Sequence, residues 1–224
     1  MKKIFSISRR RLWRTLLSMA ILLAFTSCAP RYIAPQPEFA WPEMALSKIG
    51  DSLGIYIPYD NLNLICKPDL SQPCCIHKDI HIGDGASQAV LSASQAVFAY
   101  ALMLGEQPTD TYIKSLNLRG LLHLKDITAN FEFLPHIEDR FDNDKEIREP
   151  DKYDILITLN LNFSAIDFAL DDISEFNISV LTESEKPAAK RKINSQLKKL
   201  SKTALEQAAG YLARKLVNFY GARS

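Results

Sequence analysis

From Tyr153 onward the chain places Ile155, Ile157, Leu159, Leu161 and Phe163 at every second position, with Thr158, Asn160 and Asn162 between the later ones. A period of two puts all five apolar side chains on one face of an extended strand, and that face must be covered by something else. Ile127, Ala129, Phe131 and Phe133 repeat the pattern around Thr128, Asn130 and Glu132, and Phe176, Ile178 and Val180 give a third run. These predict half-buried antiparallel strands. Leu53 to Ile57 alternates more briefly before Pro58, and reads as an earlier strand that the proline ends or confines to an edge.

Two segments carry the other periodicity. Between Asp84 and Leu104 the apolar positions Ala86, Ala89, Val90, Ala93, Val97, Tyr100, Ala101 and Leu104 recur at three and four, predicting a helix with Gly83-Asp84-Gly85 at its entrance and Gly105 at its stop. After Pro187, Ile193, Leu197, Leu200, Ala204, Ala208, Leu212 and Leu216 form one stripe that runs to about Gly221. The order strand, helix, three strands, helix predicts an α+β fold: a small antiparallel sheet of about four strands covered by two helices. The charged run from Glu138 to Asp151 has no apolar period and reads as a solvated hairpin loop.

The first 27 residues have a different character. Lys2, Lys3, Arg9, Arg10, Arg11 and Arg14 precede an apolar run from Leu16 to Phe25, and no acidic residue occurs before Cys28. That run is too short to span a hydrocarbon layer of ~30 Å and reads as a signal-peptide core. Ser8-Arg9-Arg10-Arg11-Leu12 also looks like a twin-arginine export motif, the plainer alternative being a basic n-region. Phe25-Thr26-Ser27-Cys28 resembles the bacterial lipobox, with Phe25 where leucine is usual. The resemblance implies cleavage before Cys28 and a covalent lipid on it, with no other cofactor. An ordinary secretory signal, with Cys28 as a simple thiol or disulfide partner, is the alternative. Several acyl chains, each contributing about 0.8 kcal/mol per buried methylene, would hold the body on a membrane. Ala29 rather than Asp after the cysteine resembles the signal that sorts enterobacterial lipoproteins to the outer membrane.

Three parts follow: a signal peptide over 1–27, a lipidated N-terminus and proline-rich tether over 28–45, and one periplasm-facing domain over 46–224. Pro30, Pro35, Pro37 and Pro42 among Tyr32, Phe39 and Trp41 favour an extended tether. Signal removal takes away six of the 27 basic residues and none of the 26 acidic ones, so the body has a formal net charge of −5. That balance argues against a nucleic-acid surface, which needs a basic patch.

Export makes the remaining cysteines, Cys66, Cys74 and Cys75, candidates for a disulfide from Cys66 to one of the other two. A loop of eight or nine residues closed in this way is worth roughly 2 to 3 kcal/mol. The alternative is a metal site drawing on Cys66, Cys74, Cys75, His77 and His81, although the spacing suits zinc poorly. Signatures of catalysis are missing: there is no G-x-S-x-G, H-E-x-x-H, glycine-rich phosphate loop or C-x-x-C. His123 and His136 lack a partner nucleophile, and Asp154, Asp167, Asp171 and Asp172 read as turn and strand-edge residues.

The layout of lipobox, tether, early strand, Gly83-led helix, strands from Tyr153 to Phe163 and long final helix is similar to small envelope lipoproteins of the YajG type. It also resembles auxiliary lipoproteins of envelope transport and the lipoprotein ring of the Pel polysaccharide exporter. The resemblance implies a non-catalytic accessory or scaffold subunit, bound to the membrane by its lipid and to envelope proteins or further copies of itself. A metal- or small-ligand binder using the Cys/His loop 66–81 is the alternative. The docking hypothesis expects an uncovered apolar surface, either a stripe of Phe39, Trp41, Tyr56 or Tyr59 or the outer face of the helix from Ala86 to Ala101.

Overall fold

The computed structural model describes residues 32–39, 48–67, 79–136 and 152–221. Its elements in chain order are β1 (Ile49–Tyr56), a single helical turn α1 (Tyr59–Leu62), the short strands β2 (Ile65–Cys66) and β3 (Ile80–His81), and helix α2 (Ile82–Val97). Then come β4 (Phe98–Leu104), the short helix α3 (Asp110–Ser115), β5 (Gly120–Pro135), β6 (Lys152–Asp167), β7 (Asp172–Glu183), β8 (Ala188–Ala189) and the long helix α4 (Ile193–Tyr220). The fold is α+β, as the alternation of periods requires.

The main sheet has six strands in the order β4-β1-β5-β6-β7, with β8 pairing the start of β6. This corrects the expected antiparallel sheet of about four: β1 runs parallel to both β4 and β5, and only β5, β6, β7 and β8 pair antiparallel. The added strand comes from the predicted long helix. It ends at Val97, and Phe98 continues directly into β4. Val97, Tyr100, Ala101 and Leu104 fit a helical stripe, but a short apolar run satisfies either period. Here the neighbour decides, because β1 offers a free backbone edge from Ile49 to Tyr56. Pro58 falls just after β1 and ends it, leaving β1 in the interior of the sheet.

The helices cover one face of the sheet. Ala86, Ala89, Val90, Ala93 and Val97 of α2 are buried with Ala204, Leu205, Ala208, Ala209 and Leu212 of α4 in the same core as Ile155, Ile157, Leu159, Leu161 and Phe163 of β6. Small residues on both helices let their backbones approach while the larger strand residues fill the layer beneath. The closing helix and the β6 alternation are thus built as the sequence predicts. The stretch 32–39, expected as part of a free tether, lies on this body where it is described. Ile33 bridges Ile80 in parallel, its N–H donating to the Asp79 carbonyl and its carbonyl accepting from His81, both at 2.9 Å. Glu38 then pairs with Lys202 of α4 at 3.1 Å, and its N–H donates to Glu206 at 3.0 Å.

Arg119, just before β5, fastens the two halves of the sheet. Its guanidinium reaches Asp51 of β1 at 2.8 Å and the buried Asp167 at the end of β6 at 3.3 Å, and hydrogen bonds to the two carboxylates raise its pKa further. Beside it Tyr220 donates to the Ile166 carbonyl at 2.8 Å, and burial followed by the charge of Asp167 raises its phenol pKa. Gly120 makes this junction possible: a Cβ there would stand 2.6 Å from that same carbonyl oxygen and 2.5 Å from the tyrosine oxygen.

Candidate docking surface

The face of the sheet away from α2 and α4 is polar along most of β6, where Thr158, Asn160 and Asn162 are half-exposed and Asn162 accepts from Asn177 at 2.6 Å. Toward one end it becomes apolar. The register aligns Leu102, Gly54, Leu121, Ile166 and Ile173 in a row across all five strands from β4 to β7. The row is shielded in its middle by the segment after α3, where Leu118 comes down on Gly54. A Cβ on Gly54 would lie 2.7 Å from the Leu118 side chain, so the glycine makes the room. α3 itself is started by Thr109, whose hydroxyl oxygen accepts the N–H of Tyr112 at 3.3 Å.

Both ends of the row are open. At one end Tyr100 is 69% and Leu102 46% exposed; at the other Ile173 is 64% exposed, next to Leu170 and Phe168 of the β6–β7 turn. That turn is closed by Asp171 at φ 52° and by the N–H of Ala169 donating to Asp167 at 2.9 Å. Beside Tyr100 and Leu102 a groove of about 640 Å³ runs between β4 and the segment after α3, lined also by Lys48, Ser52, Gln95 and Leu118.

The edge at this groove has the composition of a buried strand. Among the described residues no strand pairs with the outer side of β4, and Phe98-Ala99-Tyr100-Ala101-Leu102-Met103-Leu104 contains no charge, proline or glycine. Proteins ordinarily blunt a free strand edge with charges, proline or a bulge, because its unpaired N–H and C=O groups template the addition of another strand. β7 at the far edge follows that practice with Asp172, Glu175 and Glu183.

The surfaces expected from sequence lie elsewhere. The small-residue face of α2 is covered by α4, while Phe39 is half-buried against the core. Tyr56 is half-buried and its ring sits 5.0 Å from that of His123. Tyr59 is exposed, and Trp41 lies outside the described residues. Of the expected stretch from Ala86 to Ala101, Tyr100 contributes to the open surface, from a strand rather than a helix.

Cys28, Cys74, Cys75 and His77 also lie outside the described residues, so lipidation, disulfide pairing and the full metal set are not represented there. Cys66 and His81 are in the β2–β3 ribbon, where Cys66 pairs with Ile80 and His81 with Ile65. Neighbouring positions of a ribbon point to opposite faces. Cys66 therefore packs toward the core with the fully buried Ile80, and burial raises its thiol pKa, while the His81 ring lies 4.9 Å from that of Tyr32 on the other side. The two side chains do not converge. Among the described residues no group of three His, Cys, Asp or Glu side chains is placed to hold a metal ion.

The other ionisable candidates are tied into the framework. His136 Nδ1 and Asp154 Oδ2 are 3.0 Å apart at the base of the β5–β6 hairpin, and Asp167 belongs to the Arg119 junction. His123 is half-buried beside Tyr56, and burial, then the charge of Lys125, lowers its pKa. No described helix is long and apolar enough to cross a membrane.

No known family profile matches the chain, and no curated protein matches it in sequence. Solved structures give distant similarities. A Xanthomonas campestris protein of family DUF330 aligns over 87% of this chain and 99% of its own, at 11% identity and a TM-score of 0.42. A minor lipoprotein of Acinetobacter baumannii aligns over 75% and 91%, at 10% identity and a TM-score of 0.35. The PelC dodecamer of Paraburkholderia phytofirmans aligns over 71% and 88%, at 12% identity and a TM-score of 0.26.

Proposed function

We propose that this chain is an envelope lipoprotein, held on the outer membrane by a lipid on Cys28 and facing the periplasm, that works by docking rather than catalysis. It serves as an accessory or scaffold subunit of an envelope transport or assembly machine. The observation that carries the docking reading is the uncharged edge of β4, unpaired among the described residues, with Tyr100 and Leu102 exposed beside it. The lipobox-like Phe25-Thr26-Ser27-Cys28 supports the anchor. Among the described residues, buried Asp167 and Tyr220 serve as fasteners around Arg119.

The test is made in a bacterium that produces the chain. Labelled palmitate should enter the protein and be lost in Cys28→Ser, and the protein should sediment with outer membranes. A photo-crosslinking amino acid at Tyr100 should give discrete adducts in the envelope, whereas one at Tyr211, exposed on α4, should give none. Absence of lipid label would overturn the anchor. Equal adduct formation at both positions, or none at either, would overturn the docking surface.

A further inference from the structure

We propose that the partner of the β4 edge is a second copy of this chain, the two β4 strands pairing antiparallel about a two-fold axis at Ala101. This rests on the docking reading and names its partner.

The strand complements itself in that register. With Ala101 opposite Ala101 of the other copy, Tyr100 lies opposite Leu102, Ala99 opposite Met103 and Phe98 opposite Leu104. Tyr100 and Leu102 share the open face of the sheet with Gly54 and Ser52, so the symmetry forms the aromatic and aliphatic pair twice on that face. Such cross-strand pairs contribute roughly 0.2 to 1 kcal/mol each. Ala101 and Met103 share the helix-covered face, where both are partly buried against the core. Every opposed pair is apolar, and none sets like charges against each other.

β7 would not pair with itself on those terms, since Asp172, Glu175 and Glu183 lie along twelve residues with no basic residue among them. The single sign on the β7 edge disfavours β7 with β7, whereas β4 with β4 opposes no charges and is an isologous contact that closes at two copies.

Cysteine trapping of the full-length chain in its own membrane tests the register. Two Cα atoms directly opposed across antiparallel strands stand ~4.5 to 5.5 Å apart, within disulfide range. Ala101→Cys should therefore give a reducible species of twice the chain mass, at least tenfold above the unmodified chain, whose native cysteines set the background. In Ala99→Cys the two cysteines are offset by four positions, ~13 Å along the strands, and should stay at background. Adding Leu102→Lys to Ala101→Cys should cut the trapped species at least fivefold while leaving the circular dichroism and melting of the monomer in place.

Trapping of Ala101→Cys at the Ala99→Cys level would overturn the pairing. In that event the photo-crosslinker at Tyr100 separates the two ideas. Adducts of other masses would leave the docking surface standing with a different partner, and no adduct would remove both.

Discussion

The sheet has two halves that solve the same problem differently. On one side β5, β6 and β7 form an antiparallel meander whose last strand ends the sheet with Asp172, Glu175 and Glu183; on the other, β1 and β4 lie parallel and end it with seven uncharged residues. Both halves are roofed by helices over apolar inner faces. They differ in what they offer outward: one edge resists another strand and the other accepts it.

The largest expected effect comes from separating the halves at their fastener. Arg119→Met leaves Asp167, 1% exposed, without its cation. Removing one partner of a buried ion pair costs about 3 kcal/mol, at the lower end for such pairs because Ala169 still donates to the carboxylate. Urea denaturation should show that loss, and an unchanged midpoint would mean the halves are held by strand pairing alone.

Next in size is Ile178→Ala, which hollows the inner face of β7. A buried isoleucine truncated to alanine should lose about 2 kcal/mol by thermal melting, with no change in mass by light scattering. Any change in association would show that the β7 side also takes part in docking. A sharper version removes the charges instead. Glu175→Val with Glu183→Val leaves Asp172, at the start of β7, as the one charge on that edge, and loses the exposed contact of Glu175 with Lys125, worth up to about 1 kcal/mol. Scattering that climbs with concentration is expected, because two free edges per chain no longer close at a pair. A constant mass would show that charge is not what protects β7.

The smallest effect lies at the seam, where Tyr56 of β1 pairs with His123 of β5. The His123 pKa is lowered from 6.5, chiefly by burial, so the unfolded chain takes up the proton more readily than the folded one. Stability from this group is complete above 6.5 and is lost as pH falls from there through the lower folded-state pKa. Chemical denaturation at pH 7.5 and 5.5 should show the decline, and His123→Gln should flatten it. An equal slope in the variant would assign the decline to other groups.

Much of this layout is legible in the residues. The stripe of α4 and the alternation of β6 are long enough that only one period fits, and both elements form where they predict. β4 is not legible, because Val97, Tyr100, Ala101 and Leu104 satisfy a helix as well as a strand, and the choice depends on β1, over forty residues earlier. Missing that strand also placed Tyr100 on a helix, whereas it lies on β4 beside Leu102, which the expected stretch from Ala86 to Ala101 did not reach. The parallel pairing of β1 is equally hidden, for apolar spacing gives a strand its inner face but not its neighbours. Gly54 and Gly120 carry their reasons only in three dimensions, where a side chain and a carbonyl occupy the space of a Cβ.

The interior place of β1 bears on how the chain reaches this state. β5, β6 and β7 are neighbours in sequence and can zip together from their turns, whereas β1 must be inserted between β4 and β5, both of which follow it in the chain. Contacts that span so much sequence form slowly. In a folding chain whose meander zips first, the near edge of β5 would stay bare until β1 inserts. Speed of insertion, more than final stability, then sets how long that edge is exposed to capture by other unfolded chains.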